Sequence, residues 1–199
     1  MTLRPRLPAV SLFSLCLLCL SCLLCPAAHA AVISVPSNYP TIQAAITAAG
    51  VGDTIQIASG TFTGPGNWDL STSGKNILLR GRSVPDSTVI DCQGTHNGFS
   101  TVSSGTRIRA LTIKNALIAV NCSGASPAVD SCRFVNSSSY AIYWSASDFP
   151  DLSFNTYAGN GRDKGIVGGV ISESGTWHND GSGDYVVLGD IVVRRDCHL

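Results

Sequence analysis

The chain has little of what builds long helices or nucleic-acid-binding surfaces. Among its 199 residues there are one Met and one Glu, Glu173, while Lys and Arg together number 13, the same as Asp and Glu. Since two of the basic residues lie in the first thirty positions, the remainder is slightly acidic. A slightly acidic chain lacks the positive field that attracts nucleic acid or anionic membranes. Gly, Ser, Thr, Asn and Asp are plentiful, which favours strands and turns.

The first thirty residues have the pattern of a cleavable export signal. Arg4 and Arg6 precede an uncharged apolar stretch at 9–24, and small residues follow at Ala28 and Ala30. The order basic, apolar, small is typical of a secretory signal peptide. The apolar stretch is shorter than the roughly twenty residues of a spanning helix. We therefore predict cleavage after Ala30 and a secreted or extracytoplasmic domain at 31–199, with a lipid anchor or an uncleaved anchor as alternatives.

Cleavage would remove half of the eight cysteines. The four that remain are Cys92, Cys122, Cys132 and Cys197. None belongs to a C-x-x-C pair, so a zinc site is not expected. Two interpretations stay open: buried small hydrophobic residues, or a disulfide such as Cys122–Cys132.

One helix is predicted after residue 30. Ile42, Ala45, Ile46 and Ala49 share one helical face. Thr41 is placed to cap the helix at its start, and Gly50 to end it. A helix this short needs its apolar face packed on the rest of the fold. Short β-rich runs separated by turn residues follow, beginning with 54–57.

The β-rich part contains an internal repeat with a drifting period of about 21–24 residues. At a spacing of 21, Ile108, Leu111, Ile113 and Asn115 recur as Val129, Cys132, Phe134 and Asn136. At a spacing of 23, Pro127, Val129 and Phe134 recur as Pro150, Leu152 and Tyr157. At a spacing of 24, Asn136 and Ile142 recur as Asn160 and Ile166.

Units this short cannot bury their apolar side alone, so the repeat predicts a stacked solenoid with inward apolar ladders and turn Asn residues that hydrogen-bond between coils. Leucine is too scarce for leucine-rich repeats. A β-sandwich is the remaining alternative, because it also suits the strand spacing.

Two segments resemble right-handed parallel β-helix proteins, also called pectin-lyase-like. They are residues 35–46 (VPSNYPTIQAAI) and 52–62 (GDTIQIASGTF), and the similarity extends over residues 32 to about 193. The resemblance implies an all-β solenoid whose N-terminal helix caps the first coil. A last coil would start at about residue 184 with no capping element after it, so we expect a C-terminally incomplete chain. The family includes lyases, hydrolases and adhesins, so the resemblance does not define the chemistry.

Catalytic candidates are weak. The Asn-Thr-Asp, Asp-Asp and Gly-His-Gly signatures of hydrolases with this fold are absent. Asp148 and Asp151 are close in sequence, and Arg133 falls in the preceding coil, so the three could meet on one face. The alternative is that both carboxylates are turn residues around Pro150.

Ligand-binding candidates are equally limited. Asp180, Ser182 and Asp184 alternate like calcium ligands, with His178 adjacent, but Tyr185 and Ile191 stand where an EF-hand loop needs Gly and Glu. A plain turn is the alternative.

Arg107 and Arg109 should point outward from one strand, where they could contact an anionic sugar. Aromatic contacts to sugars could come from Trp68, Trp144 and Trp177, although alternation favours a core position for Trp144.

Together these patterns predict a secreted, non-catalytic β-helix scaffold that associates with a polysaccharide or a cell-surface glycan. We expect no cofactor, no nucleic-acid partner and no membrane contact after cleavage. The alternative is a polysaccharide lyase or glycoside hydrolase, or a fragment of one.

Overall fold

The computed structural model describes residues 29–177, 180–181 and 183–198. The predicted export segment therefore lies outside the described residues, apart from His29 and Ala30. The described chain is a parallel β-solenoid of about 7 turns, 6% helical, as the repeat predicted. Every strand pair is parallel, which excludes the β-sandwich. No helix in this part of the chain has the length and apolarity to cross a bilayer.

Three sheets form the sides of the solenoid. Sheet A contains β1 (Val32–Val35), β2 (Thr54–Ile57), β5 (Leu78–Gly81), β8 (Arg107–Arg109), β11 (Ala128–Asp130) and β14 (Asp151–Ser153). Sheet B contains β3 (Gly60–Phe62), β6 (Thr88–Asp91), β9 (Thr112–Lys114), β12 (Arg133–Val135) and β15 (Thr156–Ala158). Sheet C contains β4 (Leu70–Ser71), β7 (Phe99–Thr101), β10 (Ile118–Asn121), β13 (Tyr140–Ser145), β16 (Arg162–Ile171) and β17 (Tyr185–Val193).

The core consists of inward side chains stacked in register. In sheet A, Val129 pairs with Ile108 on one side and Leu152 on the other. In sheet B, Phe134 lies likewise between Ile113 and Tyr157. These pairs confirm the repeats at spacings of 21 and 23, and burying such side chains is the main stabilising contribution to the stack.

The alignment at a spacing of 24 is wrong by two residues. Ile142 pairs with Lys164, and Ile166 pairs with Trp144. Lys164 therefore occupies an inward position that is apolar in the preceding coils, and its side chain is fully buried. The apolar pattern aligns Ile142 with Ile166, the next apolar residue of this kind, because the true partner of Ile142 is the charged Lys164.

Corresponding turns have the same backbone conformation from coil to coil. Between sheets A and B, Ala110, Ser131 and Phe154 all have φ of 53–56°. Between sheets B and C, Asn115 and Asn136 do the same, with φ of 53° and 55°. Asn tolerates this left-handed region better than most residues, whereas Phe does not. Asn115 and Asn136 thus recur in register, as predicted, whereas the next coil has Gly159, with φ of 66°, at the corresponding position, so the predicted match of Asn136 with Asn160 is wrong by one residue.

Two Asn side chains also join successive coils. Asn155 accepts a hydrogen bond from the Cys132 backbone N–H (2.9 Å) and donates one to the Val129 carbonyl (2.8 Å). Asn160 accepts from the Ser137 N–H (2.9 Å) and donates to the Phe134 carbonyl (3.2 Å). Turn Asn residues therefore hydrogen-bond between coils as expected, and they pair backbone groups that the turns leave outside the sheets.

The predicted helix, α1 (Ile42–Ala48), packs on the first coil. Its N-cap is Thr41, whose Oγ1 accepts from the Ala44 N–H at 3.3 Å, and Ile42 and Ile46 are fully buried. The helix ends at an extended Ala49 rather than at Gly50. The side-chain amide of Gln43 pairs with both backbone groups of Ser71 in β4, at 2.9 and 3.1 Å. Helix α1 thereby replaces a strand at this edge of sheet C.

At the other end, β17 pairs with β16 through sheet C, and no strand within the described residues lies on its far side. The segments that flank β17 pack onto the end of the core. The indole N–H of Trp177 donates to the Asp148 carbonyl (3.2 Å), and Gly175 N–H to that of His198 (3.1 Å). Trp177 and Cys197 both contact the core. The lack of a capping element after the last coil and the incompleteness of the chain both remain predictions.

Candidate functional site

The outer face of sheet A carries a row of arginines. Register places Arg80 beside Arg109, and Arg109 beside Asp130. On β8, Ile108 is fully buried, so Arg107 and Arg109 on either side of it point outward, as predicted. Strand alternation and parallel register together gather these charges from three successive coils.

Asp130 organises two of the arginines. Its carboxylate contacts Nε of Arg107 at 2.5 Å and Nε of Arg109 at 3.0 Å, and it is only 5% exposed. Both guanidinium groups are about half exposed. A guanidinium has five N–H donors, so one shared carboxylate orients these groups without exhausting them. The local charge stays positive.

Arg80, Arg82 and Arg109 line a groove together with the segment 83–85, Gly81, Ala110 and Ser131. We call this the arginine groove. Within the described part of the chain, neither Arg80 nor Arg82 belongs to an ion pair. Arg82 also lines a neighbouring depression with Ser34 and Gln56 from the first coils. Arg82 is thus shared by two depressions, and neither lining includes an acidic side chain.

A loop shapes the groove because it leaves the coil directly after β5. A Cβ on Gly81 would lie 2.1 Å from the Ala110 carbonyl oxygen, so only glycine allows the two backbones to approach here. The chain then turns through a short 3-10 helix, Pro85–Ser87, before β6. Arg82 projects from this loop, which explains why it lies outside the regular repeat.

The predicted catalytic residues lie on different faces. Asp151 is exposed on sheet A, whereas Arg133 is exposed on sheet B and pairs with Asp86 at 2.9 Å. Asp148 is buried in the turn before β14, where its carboxylate accepts from the N–H groups of Gly124 (2.8 Å) and Ser145 (3.2 Å). These contacts give Asp148 a structural role in its turn. A catalytic role for the three residues stays a prediction.

The predicted calcium ligands are divided in the same way. Ser182 and His178 lie outside the described residues. The side chain of Asp180 is fully buried, with Oδ1 2.7 Å from Nζ of Lys164 and Oδ2 accepting from the Tyr157 hydroxyl at 3.0 Å. Asp184 lies in a shallow depression beside Arg162 and Asp163. No group of three acidic, His or Cys side chains suited to a metal occurs within the described ranges.

The tryptophans differ in environment. Trp144 is 1% exposed and belongs to the core, as alternation favoured. Trp177 is half-buried against the end of the core. Trp68 is half-buried and stacks on the imidazole of His96, with ring centroids 4.2 Å apart and planes 6° apart. Trp68 thus retains a partly exposed aromatic surface.

Sequence reasoning missed the cluster of Trp68, Asp69 and His96. Asp69 Oδ2 lies 2.7 Å from His96 Nδ1, and Oδ1 accepts from the Asn97 N–H and the Ser100 hydroxyl. Burial alone would raise the pKa of Asp69, but these hydrogen bonds outweigh it and lower the pKa below its usual value. Asp69 also has a left-handed φ of 49°, which is uncommon for a non-glycine residue. Asp69 and His96 are 27 residues apart and meet because successive coils stack, so no local sequence motif indicates this cluster.

The four cysteines within the described residues are free thiols. Cys92, Cys122 and Cys132 are buried and Cys197 is half-buried. Burial raises the pKa of Cys92 and of Cys132 to about 12, and it raises that of Cys122 as well. Thiols that resist ionisation are poor nucleophiles and metal ligands. The interpretation as small core residues fits this structure, in which Cys122 and Cys132 form no disulfide.

No protein-family model matches the sequence. A search of curated proteins finds no match either. The chain has the parallel β-helix fold that its N-terminal segments predicted. Because one fold supports many functions, only the side chains on its surface indicate what this protein does.

Proposed function

We propose that the protein is an exported, non-catalytic scaffold that binds an acidic polysaccharide along the arginine groove. The observation that carries the proposal is the row Arg80, Arg82 and Arg109 on the outside of successive coils, with Arg80 and Arg82 outside any ion pair of the described residues. Arg80 and Arg109 lie on adjacent paired strands about 4.8 Å apart, so a polymer lying across them meets arginines from two neighbouring coils. Repeated weak contacts suit a repeating ligand.

Arginine chemistry specifies the class of ligand. A planar guanidinium can bind a carboxylate through two parallel hydrogen bonds, and sugar acids present one carboxylate per residue. The groove is open and polar, so each contact is worth only about 1 kcal/mol or less. The expected affinity is modest, and it should fall as salt screens the charges.

The test uses the purified protein with polygalacturonate and with a neutral glucan of similar length, in affinity electrophoresis at low salt. We expect retardation by the acidic polymer alone. The double variant Arg80→Ala/Arg82→Ala should weaken binding at least about tenfold, the equivalent of about 1.4 kcal/mol. The control Arg162→Ala/Arg195→Ala removes the same charge elsewhere and should change binding less than about twofold. Equal losses in both double variants would overturn the groove as the site.

The export part of the proposal is supported by the environment of Ala31. Its backbone N–H donates to Asp53 Oδ1 at 2.7 Å, and Asp53 Oδ2 accepts from the Gly50 N–H at 2.7 Å. Cleavage after Ala30 would convert the Ala31 amide into an ammonium group facing this carboxylate. N-terminal sequencing of the protein from the culture medium should begin at Ala31. Protein retained in the cytoplasm with an intact N-terminus would overturn this part.

A lyase or hydrolase is the second candidate, and the Asp69–His96 pair favours it. A carboxylate bound to Nδ1 orients an imidazole so that Nε2 can act as a base. Incubation with acidic and neutral polysaccharides, followed by reducing-end and ultraviolet assays, decides between the candidates. Turnover that His96→Ala abolishes would replace the scaffold by an enzyme. If turnover survives His96→Ala but not replacement of the exposed Asp151 by Ala, the catalytic residues are among those that the sequence suggested.

A further inference from the structure

The end of the solenoid contains an ion pair with no access to solvent. Nζ of Lys164 lies 2.7 Å from Oδ1 of Asp180, and both side chains have 0% exposure. In the preceding coils the same inward position of sheet C is occupied by Leu70, Phe99, Val120 and Ile142. Two charges in an apolar ladder cost more in lost hydration than a matched apolar pair would. The position therefore calls for an explanation other than stability.

Aromatic rings enclose the pair. Nζ of Lys164 lies 5.0 Å from the ring centre of Tyr157 and 4.6 Å from that of Tyr185. Trp144 packs edge-on against Tyr185, with centroids 5.8 Å apart. The Tyr157 hydroxyl donates to Asp180 Oδ2 at 3.0 Å, and burial followed by the charge of Asp180 raises its pKa, so it stays protonated. The amine, the carboxyl group and a hydrogen-bond donor thus meet in a site from which water is excluded.

We infer that Lys164 and Asp180 are joined by an intramolecular isopeptide bond that forms after folding. The pair supplies both reactants at contact distance, which removes the entropic cost of bringing them together. The bond would tie strand β16 covalently to the segment that precedes β17.

The chemistry balances without any other reactant. One proton moves from Nζ to Oδ1, which leaves a neutral amine and a carboxylic acid. The nitrogen lone pair attacks Cγ, and the Tyr157 hydroxyl stabilises the negative charge that develops on Oδ2. A second proton passes from the nitrogen to Oδ1, the Cγ–Oδ1 bond breaks, and one water molecule leaves. The product is a secondary amide between Nζ and Cγ, and nothing is oxidised or reduced.

Intact-mass spectrometry of the purified, denatured protein tests the inference directly. We expect a mass that is lower by one water molecule than the linear chain, and a protease-derived peptide that contains both Lys164 and Asp180. A folded protein with the full linear mass would overturn the inference. Because this measurement uses the unmodified sequence, it does not depend on the folding of any variant, and it is independent of polysaccharide binding.

Variants identify the atoms. Asp180→Asn should lose one ammonia instead of one water, because the same attack then expels the amide nitrogen. Lys164→Arg should show the full linear mass. Lys114 and Asp91 form an exposed ion pair at 3.2 Å, so Lys114→Arg is the matched control and should keep the loss of water. Tyr157→Phe should lower the cross-linked fraction. Loss of water that persists in Lys164→Arg would show that the bond lies elsewhere and overturn the assignment.

Discussion

Replacing Asn155 by Ala should unfold the protein at a much lower urea concentration. Asn155 is 2% exposed, and its amide is the hydrogen-bonding partner of the Cys132 N–H and the Val129 carbonyl. The alanine variant leaves both backbone groups buried without that partner. An unsatisfied buried polar group costs about 1–3 kcal/mol, so with two such groups the free energy of unfolding should fall by about 2–6 kcal/mol.

Asn160 provides the matched comparison for this prediction. It makes the same two contacts one turn further along the coil, but it is only half-buried. Because Asn160 is partly exposed, water can enter the space that Asn160→Ala opens and bind the released backbone groups, so the loss should be about 1 kcal/mol. Urea titrations followed by tryptophan fluorescence give both values, provided that the slope with denaturant is unchanged. A smaller loss for Asn155→Ala than for Asn160→Ala would refute the argument from burial.

Four further predictions concern stability and reactivity. Ser137→Ala should raise the free energy of unfolding by about 1 kcal/mol, because the buried Ser137 hydroxyl has no hydrogen-bond partner among the described residues, and urea titration measures this change. Phe154→Asn should raise it by about 1 kcal/mol in the same assay, since Phe154 has a left-handed φ of 56° and an 82% exposed side chain; a loss would mean that the ring contributes contacts. Burial alone would raise the pKa of Asp91, but its hydrogen bonds and its ion pair with Lys114 outweigh burial and lower the pKa below its usual value. The stabilisation by Asp91 is therefore present above the unfolded pKa and is lost as pH falls through the folded pKa. Asp91→Asn should flatten the decline of stability below about pH 4, and an acid titration unchanged from that of the unmodified protein would contradict this. Iodoacetamide at neutral pH should label Cys197 alone among the described thiols until denaturant is added, and peptide mapping would detect early labelling of the buried ones.

The regular part of the fold could be predicted because its coils differ little in length. Val129 and Phe134 have their equivalents at fixed spacings on both sides, since inward residues of stacked parallel strands stay in register. The predicted alignment of Ile142 with Ile166 failed because the inward residue of that coil is charged instead of apolar. Lys164 occupies a core position that only a charged partner from a later segment makes tolerable, and no periodicity reveals such a partner.

The candidate site was only partly predictable for a related reason. Arg107 and Arg109 lie on one strand, so alternation alone indicates that both face outward. Arg80 lies beside Arg109 because Leu79 pairs with Ile108. The coil between these two strands is longer than the others, since it includes the loop that contains Arg82. An insertion of this kind breaks the period on which the sequence argument depends, and the groove becomes apparent only in three dimensions.

The side-chain amide of Gln43 limits how these molecules can associate. Unpaired strand edges let solenoids polymerise, and a head-to-tail fibre needs an available edge at both ends of every subunit. At the helix end, Gln43 binds the N–H and the carbonyl of Ser71, so these two groups at the edge of sheet C are already paired. The Gln43 amide thereby hinders strand addition at one point of that edge, and replacing Gln43 by Leu would leave both Ser71 backbone groups open to a strand from another molecule.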